Sequence, residues 1–416
     1  MPSTPGAVDP LFESAVVEQP HEYYAQLRDL DPVHHVSKTG AFLVTRMDLI
    51  HEVIGDPALY SSDTIQFLHL DSDGHPELWT AGSQMIEGLD IPTVLATADP
   101  PDHTRQRRVF SKLFTRSAIE RRAEQVKGLV DAMLDPHLEG GGEIDWMRDV
   151  AVPLPAIVLS RLLGLDDEAA QFVREFGYAS GEQISGFASE ERVKEIQSII
   201  SDLGPVADAY GNVCSEEHPD LDTVLGVCAQ AVRNGDLSDL EALITLLLLV
   251  SAGSESTTSL IGTGACILAQ DQALQDRLRK SPELVETFVE EACRIDPPFR
   301  GHYRRVTRDT TLGGVSLSED ARVVLVWPAA NRDGATFDCP DQVDLDRSAP
   351  RQHVGFGWGI HLCLGAPLAR MEARVAFERL LARTTHFELD MDEQELRHHH
   401  SLLVRRLVRV SLKISA

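Results

Sequence analysis

One very long apolar segment with a polar interruption constrains the fold more than any other feature of the sequence. Its helical pattern begins at Ser238, which forms a capping box with Glu241, and continues to about Gln270. At ~1.5 Å per residue such a helix spans roughly 45–50 Å and crosses a whole domain. Its middle, residues 251–258, reads Ser-Ala-Gly-Ser-Glu-Ser-Thr-Thr. A polar, glycine-containing break costs an apolar helix stability, so it indicates a function at that point.

The rest of the pattern favours one large, mainly α domain with a small β region. The predicted elements outside the long helix are a hairpin over 33–45, helices through most of 103–250, two short strands at 312–317 and 322–327, and a last amphipathic helix at about 364–383. Length alone suggests two to three domains, but no linker divides residues 21–416, so a single domain is expected. Residues 1–20 predict a loose N-terminal arm. Residues 60–100, rich in Gly, Asp, Pro and Ser, predict a long irregular loop of the kind that often carries function.

Charge and cysteine usage restrict the partners and the compartment. The chain has 38 Lys and Arg residues against 65 Asp and Glu residues, a net charge of −27. So acidic a chain lacks the clustered cations that nucleic acids and anionic membranes require. No run approaches the ~20 apolar residues of a membrane span, and no basic segment followed by an apolar core marks a signal peptide. Six scattered cysteines without a CxxC spacing fit a reduced, cytoplasmic setting better than a disulfide framework.

A glycine-rich segment ends in a cysteine at the entrance of the last predicted helix. Residues 356–365 read Phe-Gly-Trp-Gly-Ile-His-Leu-Cys-Leu-Gly, and Gly357 and Gly359 permit positive φ and close approach to a bulky group. The free N–H groups and dipole of the following helix stabilise a Cys363 thiolate, which is a good axial ligand for haem iron. The alternative for an isolated cysteine is a structural thiol in a turn. A dinucleotide site is excluded, because Leu362 occupies the position of the third glycine.

This ten-residue pattern resembles the cysteine loop of the cytochrome P450 superfamily, and further motifs follow in that family's order over nearly the whole chain. The resemblance is to a soluble bacterial, ferredoxin-dependent, actinobacterial-like type. It implies one triangular, helix-rich haem-thiolate domain, with haem b between the long helix and the cysteine loop and Cys363 as the metal ligand. Five further residues would border the haem: Phe356, Gly357, Gly365, Ala252 and Gly253.

Four side chains fall where the family holds the haem propionates. His103 and Arg107 are four residues apart on one face of a predicted helix, and such a donor pair suits a carboxylate. The resemblance adds His361 and Arg304, with Arg305 as the alternative if the register differs by one. For His103 and Arg107 alone, a solvated basic helix face would be the simpler interpretation.

Glu291 and Arg294 have an E-x-x-R spacing, which alone means little because surface pairs one helical turn apart are common. The resemblance implies that they form a buried network with a later arginine, Arg347. The role of this network is structural: it holds the cysteine loop.

The polar break of the long helix resembles the family's oxygen-activating motif. Ala252 and Gly253 would leave space for dioxygen, Glu255 would supply protons to it, and Ser256 would donate a hydrogen bond to it. Serine stands where threonine is usual: it keeps the hydroxyl but loses the methyl that restricts χ1, and Thr257 is a second candidate for the same role. The alternative is that Ser256 only bonds a carbonyl of its own helix.

The resemblance implies a monooxygenase that inserts one oxygen atom of O₂ into a small, apolar organic substrate. Electrons would come from an iron–sulfur ferredoxin and its NAD(P)H-dependent reductase. The basic residues that predict a cationic face for this ferredoxin are Arg105, Arg107, Arg108, Lys112 and Arg116, with Arg370 and Arg374 farther along. The alternative is a set of ordinary solvated arginines.

Substrate contacts are expected from residues 60–98, residues 171–215 and the turn at 297–303, with Phe299 and Tyr303 in the pocket. The pocket is expected to be apolar, as most small-molecule sites are. Other functions on the same scaffold are a peroxide-using peroxygenase, a haem-thiolate isomerase, and a non-catalytic haem sensor or ligand carrier.

Overall fold

The central element of the structure is the long helix that the capping box predicts. In the computed structural model, which describes residues 8–80, 91–139 and 142–415, this helix runs from Asp239 to Gln270. The side chain of Ser238 accepts the N–H of Glu241, whose carboxylate accepts the N–H of Ser238. By length and composition the helix could cross a membrane, but 56% of its most apolar window is buried inside the fold.

The described residues form helices α1 to α16 and strands β1 to β12, connected by turns, short 3-10 segments and the π-helical stretch Met147–Ala151. The helices are Ser14–Glu18, His21–Leu30, Met47–Gly55, Asp102–Phe110, Arg116–Glu120, Ala123–Glu139, Pro153–Leu163, Ala170–Gln183, Glu190–Ser201, Gly204–Ser215, Val224–Arg233, Asp239–Gln270, Gln272–Lys280, Val285–Ile295, Trp327–Ala330 and Ala366–Arg383. The strands are Val33–Val36, Ala41–Val44, Tyr60–Ser61, Gln66–Leu70, Pro76–Thr80, Glu143–Asp145, Gly301–Val306, Thr310–Leu312, Val315–Leu317, Arg322–Val326, His386–Leu389 and Ser411–Ser415. The prediction of a mainly α fold with a small β region is confirmed.

The largest sheet has five strands in the order β1-β2-β10-β7-β3. Strand β10 runs parallel to β2, and the other neighbours are antiparallel. Strands β1 and β2 form the predicted hairpin, with positive φ at Lys38 and Gly40 in its turn. The other sheets are β11-β12-β6 and the hairpins β4-β5 and β8-β9. The β structure is therefore spread along the chain and includes strands β3 to β6, which the sequence did not predict.

Glycines on α12 let neighbouring helices approach it closely. A Cβ on Gly253 would lie 2.9 Å from the side chain of Leu159 on α7, and a Cβ on Gly264 would lie 2.2 Å from the ring of Phe377 on α16. The second contact holds the long helix against the helix that begins just after Cys363. The helix that carries the polar break and the helix that follows the cysteine loop therefore cross in close contact.

The expectation of a loose N-terminal arm is wrong for the described part of that segment, residues 8–20. This stretch forms the 3-10 turn Pro10–Phe12 and α1. Leu11, Phe12 and Val17 are buried, and burial of such side chains offsets the entropy of ordering the chain. Residues 1–7 lie outside the described residues.

The expectation of a long irregular loop over 60–100 is also wrong in part. This region contains β3, β4, β5 and the 3-10 turn Leu95–Thr97, whereas residues 81–90 lie outside the described residues. The β4-β5 turn is closed by Asp71, whose side chain accepts the N–H groups of Asp73 and His75, and by Gly74 at φ +76°.

Candidate functional site

The loop that carries Cys363 is shaped by two glycines and closed by its own backbone. Gly357 and Gly359 have φ values of +70° and +68°, a region that favours glycine. The N–H of Cys363 donates to the carbonyl of Phe356 at 2.8 Å. This bond brings the two ends of the loop together and places the cysteine at the start of α16.

The sulfur of Cys363 meets the first N–H groups of α16, as the sequence predicts. Burial raises the pKa of the thiol, while the backbone N–H groups of Gly365 and Ala366 and the charges of Arg370 and Arg107 lower it. Cys363 is nevertheless an exposed residue. The residue is therefore exposed at the surface of its loop, while its thiol is surrounded by the backbone at the start of α16.

The predicted E-x-x-R network is present behind the loop. Arg294 donates to the two carboxylate oxygens of Glu291 at 2.7 and 2.9 Å, and Arg347 donates to the same carboxylate at 2.9 Å. The side chains of Glu291 and Arg294 are 0% exposed, and that of Arg347 is 8% exposed. Because Arg294 also donates to the carbonyls of Asn331 and Gln342, the network fixes the irregular chain that leads to the cysteine loop.

A second network, which sequence reasoning missed, surrounds the neighbouring carboxylate of Glu290. It accepts from Arg351 at 2.9 Å and from Arg370 at 2.8 and 3.0 Å, and it lies 3.1 Å from His353 Nε2. Burial raises the pKa of Glu290, but these partners lower it to about 2. The guanidinium of Arg370 also lies 4.2 Å from the centre of the Phe356 ring. The paired glutamates in the sequence were the available signal for this network.

Four predicted propionate ligands come together from three distant segments of the chain. The rings of His103 and His361 lie 4.2 Å apart, and Arg107 donates to the carbonyl of Leu362 at 2.6 Å. Burial and the charges of Arg304, His103 and Arg107 lower the pKa of His361 to about 3. A further partner, Ser62 Oγ, lies 2.9 Å from His361 Nε2, and no spacing in the sequence indicated it.

This cluster has an excess of donors over acids among the described residues. Arg304 is 8% exposed and donates to the carbonyl of Tyr303 at 2.7 Å, and burial lowers its pKa to about 10. The nearby acid, Asp99, already accepts the N–H of Ser62 at 2.9 Å. His103 Nδ1 is buried without a hydrogen-bond partner. Buried guanidinium groups without a carboxylate require an anionic ligand.

Arg304 and Arg305 lie on opposite faces of strand β7, because successive side chains of a strand alternate between its two faces. Arg305 donates to the carbonyl of Asp63 and to Asp320, both at 3.2 Å, and its side chain is 30% exposed. The charge of Arg304 instead lowers the pKa of His361. Of the two arginines, Arg305 is therefore the one that pairs with an acid.

One face of α12 is accessible at the polar break. Ala252 is exposed, and Leu248 and Ser256 are partly exposed, at the four-residue spacing that shares a helix face. Ser256 Oγ donates to the carbonyl of Ala252 at 2.8 Å, which is the geometry of the alternative interpretation. Thr257 is 4% exposed and lies on a buried face.

Gly253 does not lie on this accessible face. The space that its missing side chain leaves is taken by Leu159 of α7, 2.9 Å from a Cβ built on the glycine. The expectation that Gly253 leaves space for dioxygen is therefore wrong: its small size serves helix packing, and Ala252 is the small residue on the accessible face.

Glu255 is held on the flank of α12 by an arginine that sequence reasoning missed. Arg406 Nε donates to Glu255 at 2.9 Å, and its guanidinium lies 4.5 Å from the centre of the Tyr178 ring. A Cβ on Gly181 of α8 would lie 2.4 Å from Glu255 Oε2, so a side chain there would make the carboxylate move. Burial raises the pKa of Glu255, and Arg406 lowers it.

The regions predicted to contact substrate meet one another and the C-terminal segment. Leu70 of β4 donates its N–H to the carbonyl of Gly186 at 3.0 Å, and Leu402 donates to Ser185 at 2.7 Å. The hydroxyl of Tyr303 accepts an N–H of β4 at 3.2 Å. The loop after α8 is therefore hydrogen-bonded to β4 on one side and to the C-terminal segment on the other. The sequence did not indicate this contact with the C-terminal segment.

The predicted cationic face is largely neutralised. The basic residues that pair with acids are Arg105 with Asp102 and Glu241, Arg116 with Glu286, Arg370 with Glu290, and Arg374 with Glu120 and Glu378. The prediction of a cationic face is wrong for these four arginines, because their acidic partners come mainly from distant segments. Among the described residues, Arg108 and Lys112 stay exposed without an acidic partner. Trp358 and Leu362 of the cysteine loop are 47% and 42% exposed.

Comparisons with known proteins identify the class to which this geometry belongs. Residues 190–414 match the family model described as Cytochrome P450. The chain is 34% identical over 406 residues to Cytochrome P450 144 of Mycobacterium tuberculosis, covering 97% of this chain and 91% of that protein. It is 31% identical over 405 residues to the vitamin D(3) 25-hydroxylase of Pseudonocardia autotrophica, covering 96% and 95%. The crystal structure of CalO2 is similar with a TM-score of 0.85 at 26% identity, covering 98% of this chain and 99% of that chain.

The fold and these similarities define a haem-thiolate monooxygenase, an oxidoreductase that binds haem b through a cysteine thiolate. The chain belongs to the cytochrome P450 family, and it is similar to bacterial members.

The residues present fit haem b. A cysteine of an exposed loop whose sulfur meets helix N–H groups suits iron. The uncompensated Arg107 and Arg304, with the unpartnered Nδ1 of His103, suit two propionates. Gly357 keeps the loop backbone free of a side chain where the ring must approach.

Proposed function

We propose that this chain is a cytoplasmic monooxygenase that inserts one atom of dioxygen into a small, apolar organic substrate. Its electrons come from an iron–sulfur ferredoxin that an NAD(P)H-dependent reductase reduces. The observation that carries the proposal is the exposed Cys363 at the start of α16, beside a cluster in which cationic donors outnumber acids. All six cysteines are free, which suits a reducing compartment.

The cofactor-binding residues divide into three groups. Cys363 would coordinate the iron of bound haem as a thiolate, a ligand that favours O–O cleavage. The propionates are held by His103, Arg107, Arg304 and His361. The residues that border the ring are Phe356, Gly357, Gly365 and Ala252. Haem, when bound, supplies the reductive activation of dioxygen.

Two side chains of α12 control the proton supply. Ser256 keeps its hydroxyl on the accessible face, where its hydrogen now bonds the carbonyl of Ala252 at 2.8 Å. Burial raises the pKa of Glu255, which favours a carboxyl group that can carry a proton. To deliver this proton toward Ser256, Glu255 has to give up its 2.9 Å bond to Arg406. Thr257, on a buried face, has at most a supporting role.

The same geometry favours a peroxide-using peroxygenase as the second candidate function. Glu255 is bound to Arg406, and Ser256 is bound to its own helix, so the relay that reductive oxygen activation needs is not assembled. A peroxide-driven reaction needs no reductant and fewer delivered protons. Product formation with hydrogen peroxide, but not with ferredoxin, its reductase and NAD(P)H, would decide for this alternative.

An apolar substrate is supported by the residues on the accessible face and by one relative. Leu248 and Ala252 present apolar surface, and Phe299 pairs in a bridge with Val404 of the C-terminal segment. The name of the similar vitamin D(3) 25-hydroxylase describes an apolar substrate. Ligands that shift the spin state of the haem would identify the substrate class.

The ferredoxin is proposed to dock beside the cysteine loop at Arg108 and Lys112. The neighbouring Arg107 bonds the carbonyl of Leu362, which places this part of α4 against the loop. A combined Arg108→Glu and Lys112→Glu change should raise the KM for ferredoxin and weaken its salt dependence. Arg116→Glu is the control, because Arg116 already pairs with Glu286.

The experiment that tests the proposed function is the absorption spectrum of the dithionite-reduced protein under carbon monoxide. Wild type should show a strongly red-shifted Soret band that Cys363→Ala abolishes. Cys293→Ala is the matched control, since Cys293 is a buried thiol next to Gly355 of the same region. A band that Cys363→Ala leaves unchanged would refute the thiolate assignment and the mechanism that depends on it.

A further inference from the structure

His302 and Arg304, two residues apart on β7, lie on the same face of the strand, and no motif in the sequence includes His302. Alternate residues of a strand share a face, and burial together with the charge of Arg304 lowers the pKa of His302 to about 4. His302 also contributes to lowering the pKa of His361. The ring of Phe299 lies 5.2 Å away. The imidazole therefore sits between the proposed substrate pocket and the propionate cluster.

Trp327 fixes which nitrogen of His302 carries the proton. The indole Nε1–H can only donate a hydrogen bond, and it lies 2.8 Å from His302 Nδ1. His302 Nδ1 must therefore accept, and the single proton of the neutral ring resides on Nε2. Trp327 is 2% exposed, so a ring that turned over would leave a buried N–H without a partner, at a substantial cost.

The Nε2–H of His302 has no acceptor among the described residues. The fully buried polar atoms without a partner do not include this nitrogen, so part of its surface is exposed. His302 shares a face of β7 with Arg304, and both residues contribute to lowering the pKa of His361. A fixed, accessible donor at that place is suited to a carboxylate.

We propose that His302 is a haem-propionate ligand whose Nε2–H, held in place by Trp327, donates to a carboxylate oxygen of haem b beside the guanidinium of Arg304. A neutral donor binds the propionate without adding positive charge to a cluster that already holds Arg107 and Arg304. The inference rests on the haem b of the family and not on the proposed substrate or ferredoxin.

The test uses two amide variants of the holoenzyme that separate the two ring nitrogens. In His302→Asn the amide oxygen replaces Nδ1 as acceptor for Trp327, and the donor at Nε2 is lost. In His302→Gln an amide N–H reaches the place of Nε2. Phe299→Leu changes the neighbouring ring without changing a donor.

The readouts are the rate of haem transfer to a scavenger protein and the resonance Raman bending modes of the propionates. We expect His302→Asn to release haem about tenfold faster or more, since a hydrogen bond to a charged group is lost, and to shift a propionate mode. His302→Gln and Phe299→Leu should stay within about threefold of wild type.

Three outcomes would overturn the proposal. Release from His302→Asn at the wild-type rate would show that His302 serves only Trp327. Release from His302→Gln as fast as from His302→Asn would show that the donor at Nε2 is irrelevant. If neither variant retained haem, the donor at Nε2 would also be irrelevant, because restoring it in His302→Gln would not restore haem binding.

Discussion

Replacing Glu291 by glutamine removes the charge that holds the chain before the cysteine loop. The carboxylate is 0% exposed and accepts bonds of 2.7 and 2.9 Å from Arg294 and 2.9 Å from Arg347. The N–H of Asp344 is a further donor at 2.9 Å. The variant leaves two guanidinium groups without a carboxylate, and breaking a buried pair in this way costs about 3–5 kcal/mol. Since a folded protein is stable by roughly 5–15 kcal/mol, we expect a large loss.

The assay is urea unfolding of the holoenzyme, followed by circular dichroism and by the thiolate band of the carbon monoxide complex. Glu286→Gln is the matched control, because Glu286 lies in the first turn of the same helix and is 46% exposed beside an arginine that is 67% exposed. An exposed pair contributes at most about 1 kcal/mol. If Glu291→Gln and Glu286→Gln lose the same free energy of unfolding, the argument that the buried carboxylate holds the loop is refuted.

Three further outcomes are expected. Glu290 has a folded pKa of about 2 against an ordinary 4.5, so it adds about 3 kcal/mol of stability above pH 5. This stability is lost as the pH falls from 4.5 to 2, and the unfolding curves of wild type and Glu290→Gln should converge there. Arg304→Gln should speed haem release about tenfold or more, whereas Arg305→Gln, which changes a residue paired with Asp320, should change it less than twofold. Ser256→Thr should lower the hydrogen peroxide released per NAD(P)H oxidised, because the added methyl restricts χ1; an unchanged ratio would argue against a role for this hydroxyl.

The parts of the fold that the sequence predicts are those with local signals. The start of α12 is determined by Ser238 and Glu241, three residues apart, and the cysteine loop by glycines within a few residues of Cys363. The β4-β5 hairpin also has a local signal, the Asp71–Gly74 turn. The composition of the whole 60–100 stretch predicts an irregular loop and so obscures this turn.

The partners of the charged residues could not be predicted, because they come from distant parts of the chain. Arg105 pairs with Glu241, and Arg374 pairs with Glu120. A run of basic residues in the sequence therefore says little about the charge of the folded surface. Arg406, 151 residues from Glu255, is the same case at the candidate site.

The motif on α12 is contiguous in sequence but divided in space. With 3.6 residues per turn, Ala252 and Ser256 differ by about 40° around the helix, whereas Glu255 and Ser256 differ by about 100°. The hydroxyl therefore lies on the accessible face and the acid on the flank, where Arg406 of the C-terminal segment binds it. Leu402 of that segment also bonds the loop after α8. Arg406 and Leu402 therefore connect Glu255 and the loop after α8 to one segment, so a displacement of that segment would change both contacts together.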